Sequence, residues 1–504
     1  MDELRDISVG EFFARNKQLL GFNSPKRAIL TTVKEAVDNS LDACEEAEIL
    51  PEISVMIESV EDSVVRVTVS DNGPGIPYEH APAVFGKLLF GSRFHKFAQS
   101  RGQQGIGISA AVLYAMLTTG EATEILVKTR ESDKANKWKL YLNISNNTPK
   151  ILSTEEFKWD RESGVQVSLV LKAQLTSGPW SVREYLQQTS LVNPHATIKY
   201  KSPEEEIVLE RTSDELPHRP KAINPHPHGL DFGLFSEACK DYPGSVGDFL
   251  AGSLSGISTS NINKLCKALG RIKTKEIAKL AIAQPTIVKQ MYDELQGMKL
   301  QPPDLDCISP IGEIGMLLGL PRLLKSDYVV VDSRPPAIYS GTPFLVETGL
   351  IHAPGEQNRL YRFANKVPLL YKSGACVITD AAKEVNWKAY QLSQTKATLP
   401  ENVILFAHVA SPYVPFESES KEAIADYPEI LNELKLSFQA CGRDLKKHLD
   451  KLAKVRAAKE RMDYTKKFAP HCATAIGQIL DMSAKNIKKL ETEIINLLEK
   501  KREP

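Results

Sequence analysis

The run Glu35-Ala36-Val37-Asp38-Asn39-Ser40-Leu41-Asp42 sets Glu35, Asn39 and Asp42 at i, i+4 and i+7. On a helix all three share one face. A carboxylate one turn from a carboxamide is a workable pair for metal-dependent hydrolysis. The amide oxygen can ligate Mg²⁺, which takes few protein ligands and leaves the rest to phosphates and water, while the carboxylate polarises an attacking water. On spacing alone, a polar face on an exposed helix explains the same residues. A second cluster, Asp71-Asn72-Gly73-Pro74-Gly75-Ile76, follows a strand-like run. It reads first as a turn. As a binding element, Asp71 would accept a hydrogen bond from an adenine amino group, and the glycines would let the backbone approach the base. A third, Arg101-Gly102-Gln103-Gln104-Gly105-Ile106-Gly107-Ile108-Ser109, opens an apolar helix. Its glycines could present bare N–H groups and a positive dipole end to phosphates, or simply form a capped loop. No Walker motif exists in the chain, and the spacing is a poor fit to a dinucleotide fold. Gly164-Val165-Gln166-Val167, a glycine leading into a strand, is a weaker fourth cluster.

These clusters need elements to hold them. A helix is expected over 27–48, with Ala28, Ile29, Val33, Ala36, Val37, Leu41 and Ala43 near one face. Strands are expected at 53–57 and 64–70, a helix at 106–117, and further strands at 124–129, 137–144 and 165–171. The order suggests an α+β sandwich, with helices on one face of a mixed sheet. The Pro- and His-rich run Pro217–Pro227 reads as a linker. Residues 228–306 carry only short helical patterns, at 246–254, 260–269 and 274–282. Strand signals return at 328–332, 344–347, 359–363, 377–379 and 403–409. A helical pattern from 429 to 467 and a helical tail to 501 complete the chain.

The chain has 504 residues, 42% hydrophobic and 25% charged, which suits several domains with their own cores. Lys+Arg and Asp+Glu both total 63, excluding a general polycation. From Lys435 to Pro504, however, 17 basic residues face 9 acidic ones. Seven dispersed cysteines with no C-x-x-C argue against a disulfide framework or a zinc site and fit a reducing compartment. The N-terminal residues do not read as a signal peptide, and no apolar run approaches the ~18–20 residues that span a bilayer. A soluble intracellular protein with no membrane association is expected.

The order of the clusters is more specific than any one of them. Helix with E-x-x-x-N, then D-N-G-x-G, then G-x-x-G-x-G, then a glycine-led strand, resembles the ATPase superfamily of gyrase, heat-shock chaperones, histidine kinases and MutL. Within it the chain is most similar to the B-subunit family of DNA topoisomerase VI, over nearly all its length. The resemblance includes Phe85-Gly86-Lys87-Leu88-Leu89, Ser92-Arg93, the run Arg362–Leu369, Asn386-Trp387-Lys388-Ala389-Tyr390 and Ser420–Ala425. It implies a Bergerat-type ATPase α/β sandwich at 1–227 with an N-terminal strap. A helix-two-turn-helix insert would follow at 228–306, then an α+β transducer at 307–467 ending in a long helix, and a helical tail at 468–504.

The same resemblance implies ATP and Mg²⁺ as cofactors and assigns roles. Glu35 would be the general base, Asn39 the Mg²⁺ ligand and Asp71 the adenine acceptor. Ser92, Arg93 and the loop Gly102, Gln103, Gln104, Gly105, Ile106, Gly107, Ile108 and Ser109 would enclose the nucleotide. Lys421 would reach the γ-phosphate from the transducer, coupling loss of that phosphate to domain rotation. Two positions depart from the family pattern. Ser109 stands where a lysine is usual, and Val165 where a threonine is common.

No cleavage tyrosine domain or acidic metal-binding cluster is visible in the sequence, so the resemblance implies a partner that breaks DNA. That partner would be the topoisomerase VI A subunit, in an A2B2 assembly. ATP binding would dimerise this chain as a gate on double-stranded DNA. Lys264, Lys267, Arg271, Lys273, Lys275 and Lys279, against Glu276 alone, could track DNA phosphates or be solvated helix faces. Leu445, Leu449, Leu452 and Val455 suggest a helix face that packs on a partner. Localisation would be cytoplasmic and nucleoid-associated in an archaeon, nuclear in a eukaryote. The alternative is an ATP-gated clamp or chaperone of the MutL or heat-shock type.

Overall fold

The computed structural model describes residues 7–92, 96–102, 105–323, 326, 328–395, 398–418 and 421–500. Two units are distinguished, one of residues 1–386 and 394–441, the other of 387–393 and 442–504. In the first unit the chain begins α1 (Val9–Arg15), α2 (Pro25–Glu46), β1 (Glu52–Glu61), β2 (Val64–Ser70), α3 (Ala81–Gly86) and α4 (Gly107–Thr119). It continues β3 (Thr123–Lys128), β4 (Ala135–Asn143), β5 (Thr148–Phe157), β6 (Gly164–Lys172), α5 (Val182–Val192), β7 (Thr197–Lys201) and β8 (Glu206–Leu209). The strands form one sheet in the order β5-β4-β3-β6-β2-β1-β7-β8, antiparallel except for the β1–β7 pair.

Alternation along these strands decides which side the helices cover. Ile57 pairs with Val67, Val67 with Leu169, and Val167 with both Val69 and Ile125, so one face is a continuous apolar surface. These residues share a core with Ile29, Val33, Val37 and Leu41 of α2 and with Ala111, Val112 and Ala115 of α4. The intervening positions, such as Arg66, Thr68, Ser168 and Lys139, are partly or fully exposed. One dry and one wet face is the usual state of an antiparallel sheet. α2 starts at Pro25, with Ser24 accepting from the Arg27 N–H as N-cap.

Next come α6 (Phe232–Asp241), α7 (Val246–Gly252), α8 (Thr259–Ala268), α9 (Ile277–Ala283) and α10 (Pro285–Gly297). They bury their own cluster, with Phe235, Phe249, Leu265, Ile277, Met291 and Leu295 at its centre. Then follow α11 (Gly312–Gly319), β9 (Val329–Ser333), β10 (Ala337–Tyr339), β11 (Thr342–His352), β12 (Arg359–Ala364), β13 (Val367–Pro368), α12 (Val377–Glu384), β14 (Val403–Ala410), α13 (Pro428–Ile479) and α14 (Ala484–Lys500). The second sheet has the order β10-β11-β14-β12-β13, with β9 also on β11. β11 and β14 are buried almost throughout, as covered strands must be. Within this interior Glu347 accepts from the Ile311 and Gly312 N–H groups and from His408. Burial alone would raise its pKa, but these partners hold it below the usual carboxylate value.

Two expectations need correction. Val377-Ile378-Thr379 is not a strand but the first turn of α12; three β-branched residues mimic a strand, and the helix-favouring Ala381-Ala382-Lys383-Glu384 decides. The helix begun at 428 runs through Pro470 to Ile479, past the expected end at 467. In the second unit, Lys446 donates to the Ala389 carbonyl and Gln391 to Asp450. Leu445 is buried, while Leu452 and Val455 are exposed. Among the described residues no helix is long and apolar enough to cross a membrane.

Asp38 is buried on the core side of α2 and accepts from the Tyr185 hydroxyl of α5 at 2.8 Å. Burial, reinforced by Glu35, outweighs Lys34, Tyr185 and Arg101 and raises its pKa to about 6. Asp38 therefore contributes its full stability below the unfolded value near 4 and loses it as pH rises through 6. Asp38→Asn should be more stable than the natural chain at pH 7, by up to about 3 kcal/mol. Denaturant midpoints should converge as pH falls to 4.

Candidate active site

A cavity of about 1230 Å³ opens where α2, the turn after β2, the segment before α4 and the start of β6 meet. Of the residues singled out in the sequence, Glu35, Asn39, Asp71, Ser92, Gly102, Gly105, Ile106, Gly107, Ile108 and Lys421 all line it. Arg93, Gln103 and Gln104 lie outside the described residues.

Glu35 and Asn39 face the cavity one turn apart on α2, whereas Asp42 turns toward the base of the glycine loop. Its carboxylate accepts from the Arg101 side chain at 2.8 Å and from the backbone N–H groups of Arg101 and Gly102 at 3.2 and 3.3 Å. Asp42 thus anchors the loop and does not serve the cavity. The Glu35 carboxylate lies against the start of α4. A Cβ on Gly107 would fall 1.7 Å from Glu35 Oε2, so only glycine permits this approach. Among the described residues no side chain caps α4. The N–H groups of its first turn, lacking intrahelical acceptors, and its positive dipole end therefore suit an anion.

Asp71 follows the last residue of β2 and is held from three directions. Oδ2 accepts from the Ser40 hydroxyl at 2.7 Å, and Oδ1 from the Gly73 and Val165 N–H groups at 3.0 and 3.1 Å. Burial raises its pKa against these three donors. The surrounding turn is itself braced. Asn72 bonds to the Glu52 N–H and the Leu50 carbonyl, Arg161 donates to the Asp71 carbonyl, and Ser163 donates to the Gly73 carbonyl. Gly164 has φ +144°, and a Cβ there would meet the Asp71 carbonyl oxygen at 2.2 Å. Val165 and Val167 add apolar lining. A fixed acceptor beside an apolar wall suits the amino edge of a flat heteroaromatic ring.

Ser109 does not line the cavity. Its hydroxyl donates to the Ile106 carbonyl at 2.9 Å and is buried in the first turn of α4. Lys421, at φ +51°, donates to the Arg101 carbonyl at the base of the glycine loop at 2.9 Å. Burial lowers its pKa, and the Glu35 charge is the foremost effect opposing that. Glu35, the start of α4 and Lys421 therefore converge at one end of the cavity, which Asp71 lines elsewhere. Lys264, Lys267, Arg271, Lys273, Lys275 and Lys279 do not line the cavity; all six are exposed on or beside α8 and α9. Lys279 pairs with Glu276, and Lys273 donates to Asn263.

Three contributors carry no local signal in the sequence. Ser40 positions Asp71 but looks like one more polar residue on α2. Arg161 braces the turn from 90 positions away. Arg219 lines the cavity from the Pro/His-rich run, where local pattern carries no hint of it.

A family model described as "Topoisomerase VI B subunit, transducer" matches residues 303–461. Another, "Histidine kinase-, DNA gyrase B-, and HSP90-like ATPase", matches 25–151. The B subunit of type 2 DNA topoisomerase 6 from Methanococcoides burtonii is 42% identical over 501 residues, covering 98% of this chain and 80% of that one. The chain belongs to the B-subunit family of type 2 DNA topoisomerase 6. Its counterpart in Methanosarcina acetivorans is 43% identical over 508 residues, with the same coverage. That of Thermococcus kodakarensis is 34% identical over 523 residues, covering 94% of this chain and 91% of that one. Among solved structures, the 43K ATPase domain of Thermus thermophilus gyrase B aligns with a TM-score of 0.41 and 12% identity, covering 91% of this chain and 98% of that one. The match at 25–151 spans α2, β2 and α4, so the cavity belongs to a nucleotide-binding ATPase domain.

Ser40→Ala should leave Asp71 with one donor fewer and weaken nucleotide binding by about three- to tenfold, the worth of one hydrogen bond. Turnover at saturation should be unchanged. A fluorescent-nucleotide titration alongside steady-state ATPase assays reads both.

Proposed function

We propose that this chain is the ATP-operated subunit of a type IIB DNA topoisomerase. The observation that carries the reading is the convergence of Glu35, the uncapped start of α4 and Lys421 on one end of a cavity whose other part holds Asp71. In this reading Asp71 accepts the adenine amino group. The phosphates lie along Gly102, Gly105, Ile106, Gly107 and Ile108, flanked by Ser92. Arg93, beside Ser92, and Gln103, Gln104 and Ser109 of the loop complete the residues proposed to enclose the nucleotide. Glu35 takes the proton of the attacking water, and Lys421 neutralises charge developing on the terminal phosphate.

Asn39 fits the role of metal ligand. It is one turn from Glu35, lines the cavity and offers a neutral oxygen, the sort of single protein ligand Mg²⁺ accepts beside phosphates. When bound, the ion would offset phosphate charge. The chain's own residues hold the nucleotide and move the proton.

The family places this subunit beside a topoisomerase VI A subunit, here proposed as an A2B2 heterotetramer. ATP binding would close two copies of this chain as a gate around a DNA duplex. Hydrolysis would reset the gate after that duplex has passed through a break made by the A subunit, relaxing or decatenating DNA. Residues 1–227 would form the nucleotide domain, 228–306 a helix-two-turn-helix module, 307–467 the transducer and 468–504 a tail that begins inside α13. The match of residues 303–461 to the topoisomerase VI transducer favours this reading over a MutL-like or chaperone-like clamp. The exposed Leu452 and Val455 of α13 suit an A-subunit contact.

Glu35→Ala should keep nucleotide binding and dimerisation but lower the ATPase kcat by about 10²- to 10⁴-fold. Undiminished hydrolysis would sink the assignment of Glu35. For DNA, the double variant Lys264→Ala/Lys267→Ala should reduce the slope of log affinity against log salt by about 2. An unchanged slope would remove these lysines from the DNA surface.

A further inference from the structure

Between the cavity-lining residues Ser92 and Gly102 lies a short segment, residues 97–101, that is absent from the cavity lining but tied to both chain passages flanking the helical module. The Phe97 carbonyl accepts from the Ile223 N–H at 3.2 Å, on the passage entering α6. The Gln99 N–H donates to the Cys307 carbonyl at 2.9 Å, on the passage leaving α10. The Gln99 side chain then clasps the next residue but one. Its amide nitrogen donates to the Ser309 carbonyl at 2.9 Å, and its amide oxygen accepts from the Ser309 N–H at 2.7 Å. Gln99 is buried, so neither bond is replaceable by bulk water.

The two passages are also joined to each other. The Lys221 N–H donates to the Asp306 carbonyl at 2.8 Å, and Ile223 packs with Cys307, Ile308, Leu345 and Ala410. The second sheet meets them at the same place. The turn between β12 and β13 directs Lys366 Nζ to the Ser309 hydroxyl at 2.9 Å and Asn365 Nδ2 to the Ser100 carbonyl at 3.2 Å. Two residues past Gln99, Arg101 is buried against Asp42 and Glu45, and its carbonyl accepts from Lys421. The segment from 97 to 101 is thus bonded at once to α2, the module's two ends, the second sheet and Lys421.

We propose that Gln99 is a positioning residue that ties the base of the phosphate-facing glycine loop to the chain leaving the helical module, so that nucleotide occupancy and the placement of residues 228–306 form one equilibrium. It reads only the backbone of Ser309, so it fixes register and does not depend on the serine side chain. A loop shift of about 1 Å on nucleotide binding would stretch two buried hydrogen bonds unless the passage moves with it. The module's exposed basic residues would then be repositioned by the state of the cavity. This inference rests on the nucleotide reading of the cavity.

The test is hydrogen–deuterium exchange on the full chain, with and without the β,γ-imido analogue of ATP and Mg²⁺. Peptides over α2 and α4 report occupancy, and peptides over 228–306 report coupling. In the natural chain both sets should respond, with exchange in the module changed by about fivefold or more. In Gln99→Met, which keeps side-chain length without either hydrogen bond, α2 and α4 should still respond while the module's change falls below about twofold. Gln99→Glu, retaining the acceptor for the Ser309 N–H, should restore an intermediate response. A module response in Gln99→Met equal to that of the natural chain would overturn the proposal. So would a natural chain whose α2 and α4 respond while the module does not. A natural chain with no response at α2 and α4 would instead overturn the nucleotide reading itself.

Discussion

Arg101 is the interaction on which the site's geometry depends. Its guanidinium is buried at 3% exposure, bonded to Asp42 and Glu45 at 2.8 and 2.6 Å and to Asn193 at 2.5 Å. Burial works against the charge, but the two carboxylates raise its pKa above the ordinary value, and Arg101 correspondingly holds Glu45 well below its own. Removing one partner from such a cluster costs about 3–5 kcal/mol, because a charge is left buried and unpaired. That cost is borne at the base of the glycine loop. It fixes the backbone of 101–102 to α2, so Glu35 and the start of α4 stay in contact, and it presents the Arg101 carbonyl to Lys421.

From that anchor the rest follows by layers. α2 can carry chemistry on one side because its other side is locked into the sheet through Ile29, Val33, Val37 and Leu41. β2 and β6, adjacent and antiparallel, bring Asp71 beside Val165 although 94 positions separate them. Lys421 reaches the cavity because its neighbour Glu422 is held by Arg27 at 3.0 Å, at the start of the same α2. Arg27 in turn stacks on Tyr371, 4.1 Å from the ring centroid. The lysine is thus set from the start of α2 and the glycine loop from its later turns, with Glu35 between them. Displacing either end would be felt at the other.

Local signals make much of this legible. The apolar period of α2, the alternation of β2 and the dense turn at 71–75 are properties of contiguous residues, and their positions agree closely with the structure. The helical character of 228–306 is likewise readable from short range alone. What escapes depends on partners far away in the chain. β5 is largely exposed and polar, so it lacks the alternation that marks a strand. Ser40 gains its contact from Asp71, 31 positions on, and Asp42, expected on one face with Glu35 and Asn39, is instead drawn to Arg101, 59 positions on. The first turn of α12 reads as a strand because its residues are β-branched; a helix tolerates them when its remainder and its buried face, including Ile378 and Ala382, supply the stability. The role proposed for Lys421 rests on resemblance, since nothing in its own sequence neighbourhood distinguishes it from a solvated lysine.

The central claim is that one end of the cavity is a terminal-phosphate site built jointly by α4 and by Lys421. The most direct test is the ratio of affinities for the β,γ-imido analogue of ATP and for ADP, measured by calorimetry on the natural chain and on Lys421→Ala. The account predicts that the natural chain prefers the triphosphate, and that the variant loses most of that preference, about tenfold or more, while its ADP affinity is unchanged. An undiminished triphosphate preference in Lys421→Ala, or an equal loss for both nucleotides, would contradict it.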